Sequence, residues 1–152
     1  MAIKIKATFD DVQLKRLLAK VQRLPRAAQL KVIRPALNEA SKIILQAVKA
    51  RAPKDTGLLR KSLGRRMKTY RRSGVIVAYV GPRTGFKREV TLRSGRTVFR
   101  NPTRYAHLVE RGTSRAPAYP FMRPAFDESK AAVMSALKRK ISEGIVREAR
   151  RA

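Results

Sequence analysis

The stretch Tyr105–Phe126, YAHLVERGTSRAPAYPFMRPAF, decides how this chain folds. It holds the single histidine and three of the eight prolines, and it leads into a long basic helix. Tyr105 to Glu110 read as a strand end or one short helical turn. Gly112 supplies a position where positive φ costs little. The hydroxyls of Thr113 and Ser114 can satisfy backbone groups freed by the turn. Pro117 and Pro120 stiffen the linker, and the residues before them, Ala116 and Tyr119, are pushed toward extended backbone. Phe121 and Met122 are apolar anchors. Pro124 falls where a helix begins, a place that suits a residue with no N–H to donate. The stretch reads as a shaped corner that fastens a helix to a sheet.

Outward from this corner, local patterns give the remaining elements. Ile3, Ile5, Ala7 and Phe9 alternate with polar residues, which predicts a half-buried strand. Asp10 or Asp11 is placed to cap a helix striped with Leu14, Leu17, Leu18, Val21 and Leu24. Pro25 ends that helix or opens the next. Ala27 to Arg51 is the longest helical pattern, with Ile33, Leu37, Ala40, Ile44, Ala47 and Val48 near one face. Pro35 predicts a kink or a fresh start within it. Pro53 stops it, and Asp55 or Thr56 is placed to cap a short helix through Leu58, Leu59 and Leu63. Met67–Tyr70 and Val75–Val80 are predicted to pair across residues 71–74, with Gly81-Pro82 ending the unit. Glu89–Leu92 and Thr97–Arg100 flank Arg93-Ser94-Gly95-Arg96 as a second hairpin. The final helix carries Phe126, Val133, Leu137 and Ile141 at helical spacing, with Gly144 a point where it can fray. The expected class is α+β: N-terminal helices and a long C-terminal helix packed on a small antiparallel β-sheet with projecting basic hairpins. One domain over residues 1–152 is expected, with a mobile hairpin at about 83–101 and a fraying tail at about 144–152.

With 152 residues, the chain can bury roughly two thirds of its unfolded surface in one core. Its charge is extreme, 37 Lys+Arg against 10 Asp+Glu, for a formal net charge of +27. Such a chain repels itself and binds polyanions, so an anionic or acidic partner is expected to compensate it. Between Arg51 and Arg104 there are 16 basic residues and 2 acids. Arg71, Arg72, Arg83, Lys87, Arg88, Arg93, Arg96 and Arg100 are read as loop-borne contacts to DNA phosphates or an acidic protein, against the plainer alternative of a solvated face. No helix-turn-helix spacing, zinc finger or RNA-binding aromatic signature points to base readout, so any contact with nucleic acid is expected at the phosphates and strongly salt-dependent. The absence of cysteine removes disulfides, thiolate nucleophiles and zinc–sulfur sites. One histidine and scattered carboxylates give no metal cluster, and Gly81-Pro82-Arg83-Thr84-Gly85 lacks the Lys-Ser/Thr of a phosphate-binding loop. No cofactor is expected. No apolar run is long enough to cross a bilayer.

The corner stretch, preceded by RAPKDTGLLRKSL at Arg51–Leu63, resembles the small tail-component (tail-completion) family of tailed bacteriophages, the broad group that includes minor tail protein Z of phage lambda. The resemblance runs from about Ala36 to Ile141. Arg111 departs from it, standing where the family often has an aromatic or apolar residue. If that position is buried, Arg111 has to snorkel or pair. The resemblance implies a non-enzymatic structural protein of the virion neck or tail, assembled in the host cytoplasm, that completes the tail or joins it to the head. It also implies a homo-oligomeric ring of six-fold or twelve-fold symmetry around the DNA channel, touching neighbouring neck and tail proteins and double-stranded DNA. On that basis Tyr105, His107, Glu110, Arg111, Gly112, Thr113, Pro120, Phe121 and Pro124 are expected to shape the corner and nearby subunit contacts, and Pro53, Asp55, Thr56 and Gly57 a second corner joining helix to sheet.

Two other functions fit the composition. One is a non-specific nucleic-acid-binding protein of ribosomal or nucleoid type. The other is a toxin-like ribonuclease, in which His107 and Glu110, three apart on one helical turn, would serve phosphodiester cleavage by general-base action with nearby arginines stabilising charge. The plainer alternative packs His107 and pairs Glu110 with Arg111 or Arg115.

Overall fold

The computed structural model describes residues 11–55, 57–70 and 72–151. The expected strand at Ile3–Phe9, the alternative cap Asp10, and Thr56 and Arg71 lie outside the described residues. Among the described residues nine elements follow in order: α1 Val12–Gln22, α2 Arg26–Arg51, α3 Leu58–Ser62, β1 Leu63–Tyr70, β2 Val75–Pro82, β3 Arg88–Thr91, β4 Thr97–Arg100, α4 Pro102–Arg111 and α5 Met122–Ala149. The class is α+β, as the sequence patterns predict.

Asp11 caps α1 by accepting a hydrogen bond from the Leu14 amide at 2.9 Å. Its other oxygen pairs with Lys138 of α5 at 2.5 Å. The same carboxyl therefore starts α1 and ties it to α5. The Lys138 contact, then the Leu14 amide, hold it below the ordinary aspartate range. Leu14 and Val21 are the buried members of the α1 stripe, while Leu18 is exposed.

The two long helices carry most of the packing. Val32, Ala36 and Ala40 of α2 meet Val133, Leu137 and Ile141 of α5, with Leu14 and Val21 of α1 closing this first cluster. The deepest α2 positions are thus small residues one step from the predicted Ile33 and Leu37, which flank the contact instead. Small side chains let the helix axes approach, and larger ones fill the sides. Gly144 belongs to the same seam. A β-carbon there would lie 2.9 Å from Val32 Cγ1 and 3.3 Å from Val32 Cα. The glycine is a close-packing position, and α5 continues through it to Ala149, where local propensity alone predicts fraying.

Pro35 neither ends nor restarts α2, which is continuous through it. Proline cannot donate to the carbonyl of Lys31. The guanidinium of Arg147 donates to that oxygen instead, at 3.4 Å. At the far end of the seam the Arg51 guanidinium, at the C-terminus of α2, makes a two-pronged contact with Glu128 in the first turns of α5. The Arg51 charge complements the C-terminal end of α2.

A second cluster joins Val48 and Ala52 to Leu59, Leu63, Ala106, Phe121, Met122 and Ala125. It draws on α2, α3, β1, α4 and α5 and lies beneath both predicted corners.

The strands form two separate hairpins among the described residues, where one sheet was expected. β1 pairs with β2 from Leu63↔Pro82 to Tyr70↔Val75, and β3 pairs with β4 from Arg88↔Arg100 to Thr91↔Thr97. Both turns fall where predicted. Arg65 reaches Asn38 and Ser41 of α2, so Leu63, Met67 and their cross-strand partners face the helix. Arg66, Lys68 and Tyr79 lie on the opposite face. β3 and β4 pack mainly on each other.

Candidate functional site

Tyr105–Glu110, expected as a strand end or a single turn, is part of the ten-residue helix α4. Asn101 caps it, accepting from the Thr103 amide at 3.1 Å, and Pro102 occupies the first helical position. The helix stops at Gly112, where φ is 76° and the amide still donates to Leu108 O at 2.7 Å. Gly112 is required twice over: its backbone lies in the left-handed region, and a β-carbon would sit 2.7 Å from the Ala118 nitrogen. Thr113 and Ala116 then pair as an isolated bridge, and the Thr113 hydroxyl accepts from the amides of Arg115 and Ala116. Tyr119 N–H returns to Val109 O at 2.8 Å. The loop thus satisfies the last carbonyls of α4 and re-aims the chain.

Glu110 completes the corner. Its carboxylate accepts from three successive amides at the start of α5: Phe121 at 2.8 Å, Met122 at 3.0 Å and Arg123 at 3.1 Å. The first turn of α5 otherwise has no side-chain cap and no acidic residue. A carboxylate here meets both the free amides and the positive end of the helix dipole. The expected pairing of Glu110 with Arg111 or Arg115 is not what forms, because three convergent amides hold the carboxylate more tightly than one mobile surface arginine does. This clamp was missed because the partners lie 11 to 13 residues away along the chain. Phe121 itself is fully buried beneath the clamp.

The other predicted corner residues divide by burial. Tyr105 is half-buried against the second cluster. Burial raises its phenol above the ordinary range, with the Arg100 charge opposing that and the Asp55 charge adding to it. The two corners share the second cluster, where Ala52 and Leu59 meet Ala106 and Phe121. The N-cap of α3 is Gly57, at φ 65° with no side-chain cap, so Asp55 does not cap it. Pro53 is half-buried and Pro124 lies in the first turn of α5. Arg111 and Pro120 are exposed, so the arginine has no burial to escape. His107 is half-buried on α4, and its Nδ1 is buried with no hydrogen-bond partner. With Glu110 committed to α5, the His107–Glu110 hydrogen bond that a ribonuclease would use is not made through that nitrogen.

The basic candidates fall in three places. Arg72 is at the tip of the first hairpin, exposed, its carbonyl held by Arg26 at 2.9 Å. Arg83 is a brace and not a free contact: it donates to Lys61 O and Ser62 O, lays its stem over Gly64 and stacks on Phe86. Lys87, Arg88, Arg93, Arg96 and Arg100 are exposed on and beside the second hairpin. Arg88 also lies near the Phe86 ring. None of these five forms an ion pair with a carboxylate among the described residues. No grouping of metal-ligating side chains occurs among the described residues, and none of their helices is long and apolar enough to cross a membrane.

Sequence reading missed a basic groove of about 700 Å³ between α4 and the outer face of β1–β2. Gly64 and Gly81 are cross-strand partners, so that rung of the sheet carries no side chains and leaves a recess. Tyr70 and Tyr79 bridge through their hydroxyls at 3.3 Å on the same face. That bridge lowers the Tyr70 phenol and raises that of Tyr79.

The fold and corner define a structural module: an antiparallel helix seam, a locked corner and two basic hairpins. A family described as "Bacteriophage HK97-gp10, putative tail-component" matches residues 15–112. The chain belongs to this HK97-gp10-like family of tailed-phage tail components, which makes it a structural tail protein of the virion. No curated protein and no solved structure matches the chain.

Proposed function

We propose that this tail component completes the tail or joins it to the head, as a homo-oligomeric ring of six or twelve copies around the DNA channel, without catalysis. The helix seam and the corner build each subunit. The hairpins reach out to DNA phosphates or to an acidic neighbouring protein. Family membership supports the tail setting. The observation that carries the rest is the second hairpin, where Arg93 and Arg96 at the turn and Arg88 and Arg100 at the base are exposed without a carboxylate partner among the described residues. A two-stranded hairpin is marginal in water by itself, and Phe99 on this one is 76% exposed. Both features suit a surface completed by a neighbour. The test is electron microscopy of lysates from phage with this gene inactivated. Filled heads and unjoined or unfinished tails are expected. Normally joined, infectious particles would overturn the proposal.

A further inference from the structure

The groove between α4 and β1–β2 shares His107 and Met122 with the corner and no residue with β3 or β4. Its floor is Gly64, Gly81, Ala106 and Met122, small or apolar throughout. Its sheet-side wall carries Arg66 and Lys68, both exposed and without a carboxylate partner among the described residues. Its helix-side wall carries His107, whose buried Nδ1 has no partner. A buried polar nitrogen left unpaired is costly, and two cations lining the same groove favour an anionic partner group.

We infer that this groove binds an extended acidic peptide of a neighbouring protein, with a carboxylate placed between Arg66, Lys68 and the Nδ1–H of His107. Size and shape favour a peptide over DNA. The wall from Gly64 to Lys68 runs about 13 Å at strand rise, room for about four extended residues. Side chains alternate along such a segment, so apolar residues can turn into the recess above Gly64 and Gly81 while acidic ones meet the basic wall. A duplex presents its phosphates on a broad convex surface that does not enter a recess between a helix and a hairpin. The tail setting enters only as the source of the peptide. The recognition chemistry does not depend on ring formation.

The probe is a short fluorescein-labelled peptide of alternating Glu and Leu, compared with its Gln/Leu counterpart and with labelled duplex DNA, by fluorescence anisotropy on the full chain. Light scattering on the same samples reports oligomeric state, so loss of the ring and loss of the groove are read separately. The Glu/Leu peptide is expected to bind saturably and the Gln/Leu peptide at least about tenfold more weakly. Arg66→Glu with Lys68→Glu is expected to cost about tenfold or more in affinity. His107→Phe, which keeps a ring but no Nδ1, is expected to weaken binding severalfold while the circular dichroism spectrum is retained. Arg16→Glu with Lys20→Glu, on exposed positions of α1, makes the same change in net charge away from both the groove and the hairpins and is expected to leave peptide affinity within about twofold. Equal weakening by the two charge-reversed pairs would overturn the inference, as would equal binding of the Gln/Leu peptide. Duplex DNA whose binding is lost selectively in the Arg66/Lys68 variant and which displaces the peptide would also overturn it.

Discussion

The seam and corner differ from the β3–β4 hairpin in what each does with its charges. In the seam and corner the charges that join elements are tied down: Asp11 to Lys138, Arg51 to Glu128, Arg147 to the Lys31 carbonyl, Glu110 to three amides. Each joins two helices or ends one. In the hairpin the arginines are exposed and Phe99 faces solvent. One region is closed on itself and the other is open. In a protein with a net charge of +27, three of the few acids, Asp11, Glu110 and Glu128, start a helix or tie two together, while the arginines of the hairpin are left as excess charge at the edge. If this division is real, changes in the seam remove the fold, and changes in the hairpin leave the fold but remove what it reaches for.

The largest expected effect is at Phe121, fully buried in the second cluster. Phe121→Ala is expected to destabilise by about 3–5 kcal/mol, measured by urea denaturation. A loss below about 1 kcal/mol would mean that the corner is not part of the core. Gly144→Leu comes next. Its side chain must displace Val32 from the α2–α5 contact, and although leucine favours helix over glycine, a net loss of about 2 kcal/mol is expected. Val32→Ala in the same chain should restore part of it, whereas two independent additive losses would place the clash elsewhere.

Glu110→Ala is expected to cost about 2 kcal/mol, since three amides at the start of α5 lose their acceptor. Glu110→Gln keeps an acceptor without the charge and should recover about half. Equal effects of the two would show that the clamp works by charge alone, and a Glu110→Gln variant as stable as the parent would show that it works by shape alone.

Both long helices and both hairpin turns were legible from sequence because their signals are local. Apolar spacing marks α2 and α5, and Arg93-Ser94-Gly95-Arg96 between β-prone segments marks a turn. What was not legible depends on partners far along the chain. Pro35 reads as a break until Arg147 supplies the missing donor. Gly144 reads as a weak point until Val32 shows why no side chain fits. Tyr105 and Val109 favour strands intrinsically, and the capped start at Asn101-Pro102 overrides that preference. The Glu110 clamp and the glycine-floored groove exist only after α4, α5 and β1–β2 have come together.

A smaller effect is expected in acid. The Asp11 carboxyl is held low in the folded chain, first by Lys138. A depressed folded value gives stability that is fully present above the unfolded value and lost as pH falls through the folded one. The attachment of α1 should therefore be constant near neutrality and weaken from the ordinary aspartate range downward. Asp11→Asn retains a good cap but no titrating charge, and should flatten that part of the acid limb in a pH series followed by helical circular dichroism. An unchanged acid limb would remove Asp11–Lys138 from the tie between α1 and α5.

The smallest effect on stability, and the sharpest test of the division, is at the hairpin. Arg93→Glu with Arg96→Glu lies on an exposed turn held by its own backbone, Leu92 N–H to Arg96 O at 2.8 Å and Gly95 N–H to Leu92 O at 2.9 Å. Stability should stay within about 0.5 kcal/mol of the parent. If the open region is what reaches a polyanion or an acidic neighbour, the same variant supplied to phage lacking the gene should restore few joined particles, because reversed charges repel where the native arginines attract. Loss of folding would mean that the hairpin belongs to the closed region after all. Full restoration would mean that its charge faces only solvent, and the contact would then have to be sought at Arg72 or on the Arg66–Lys68 wall.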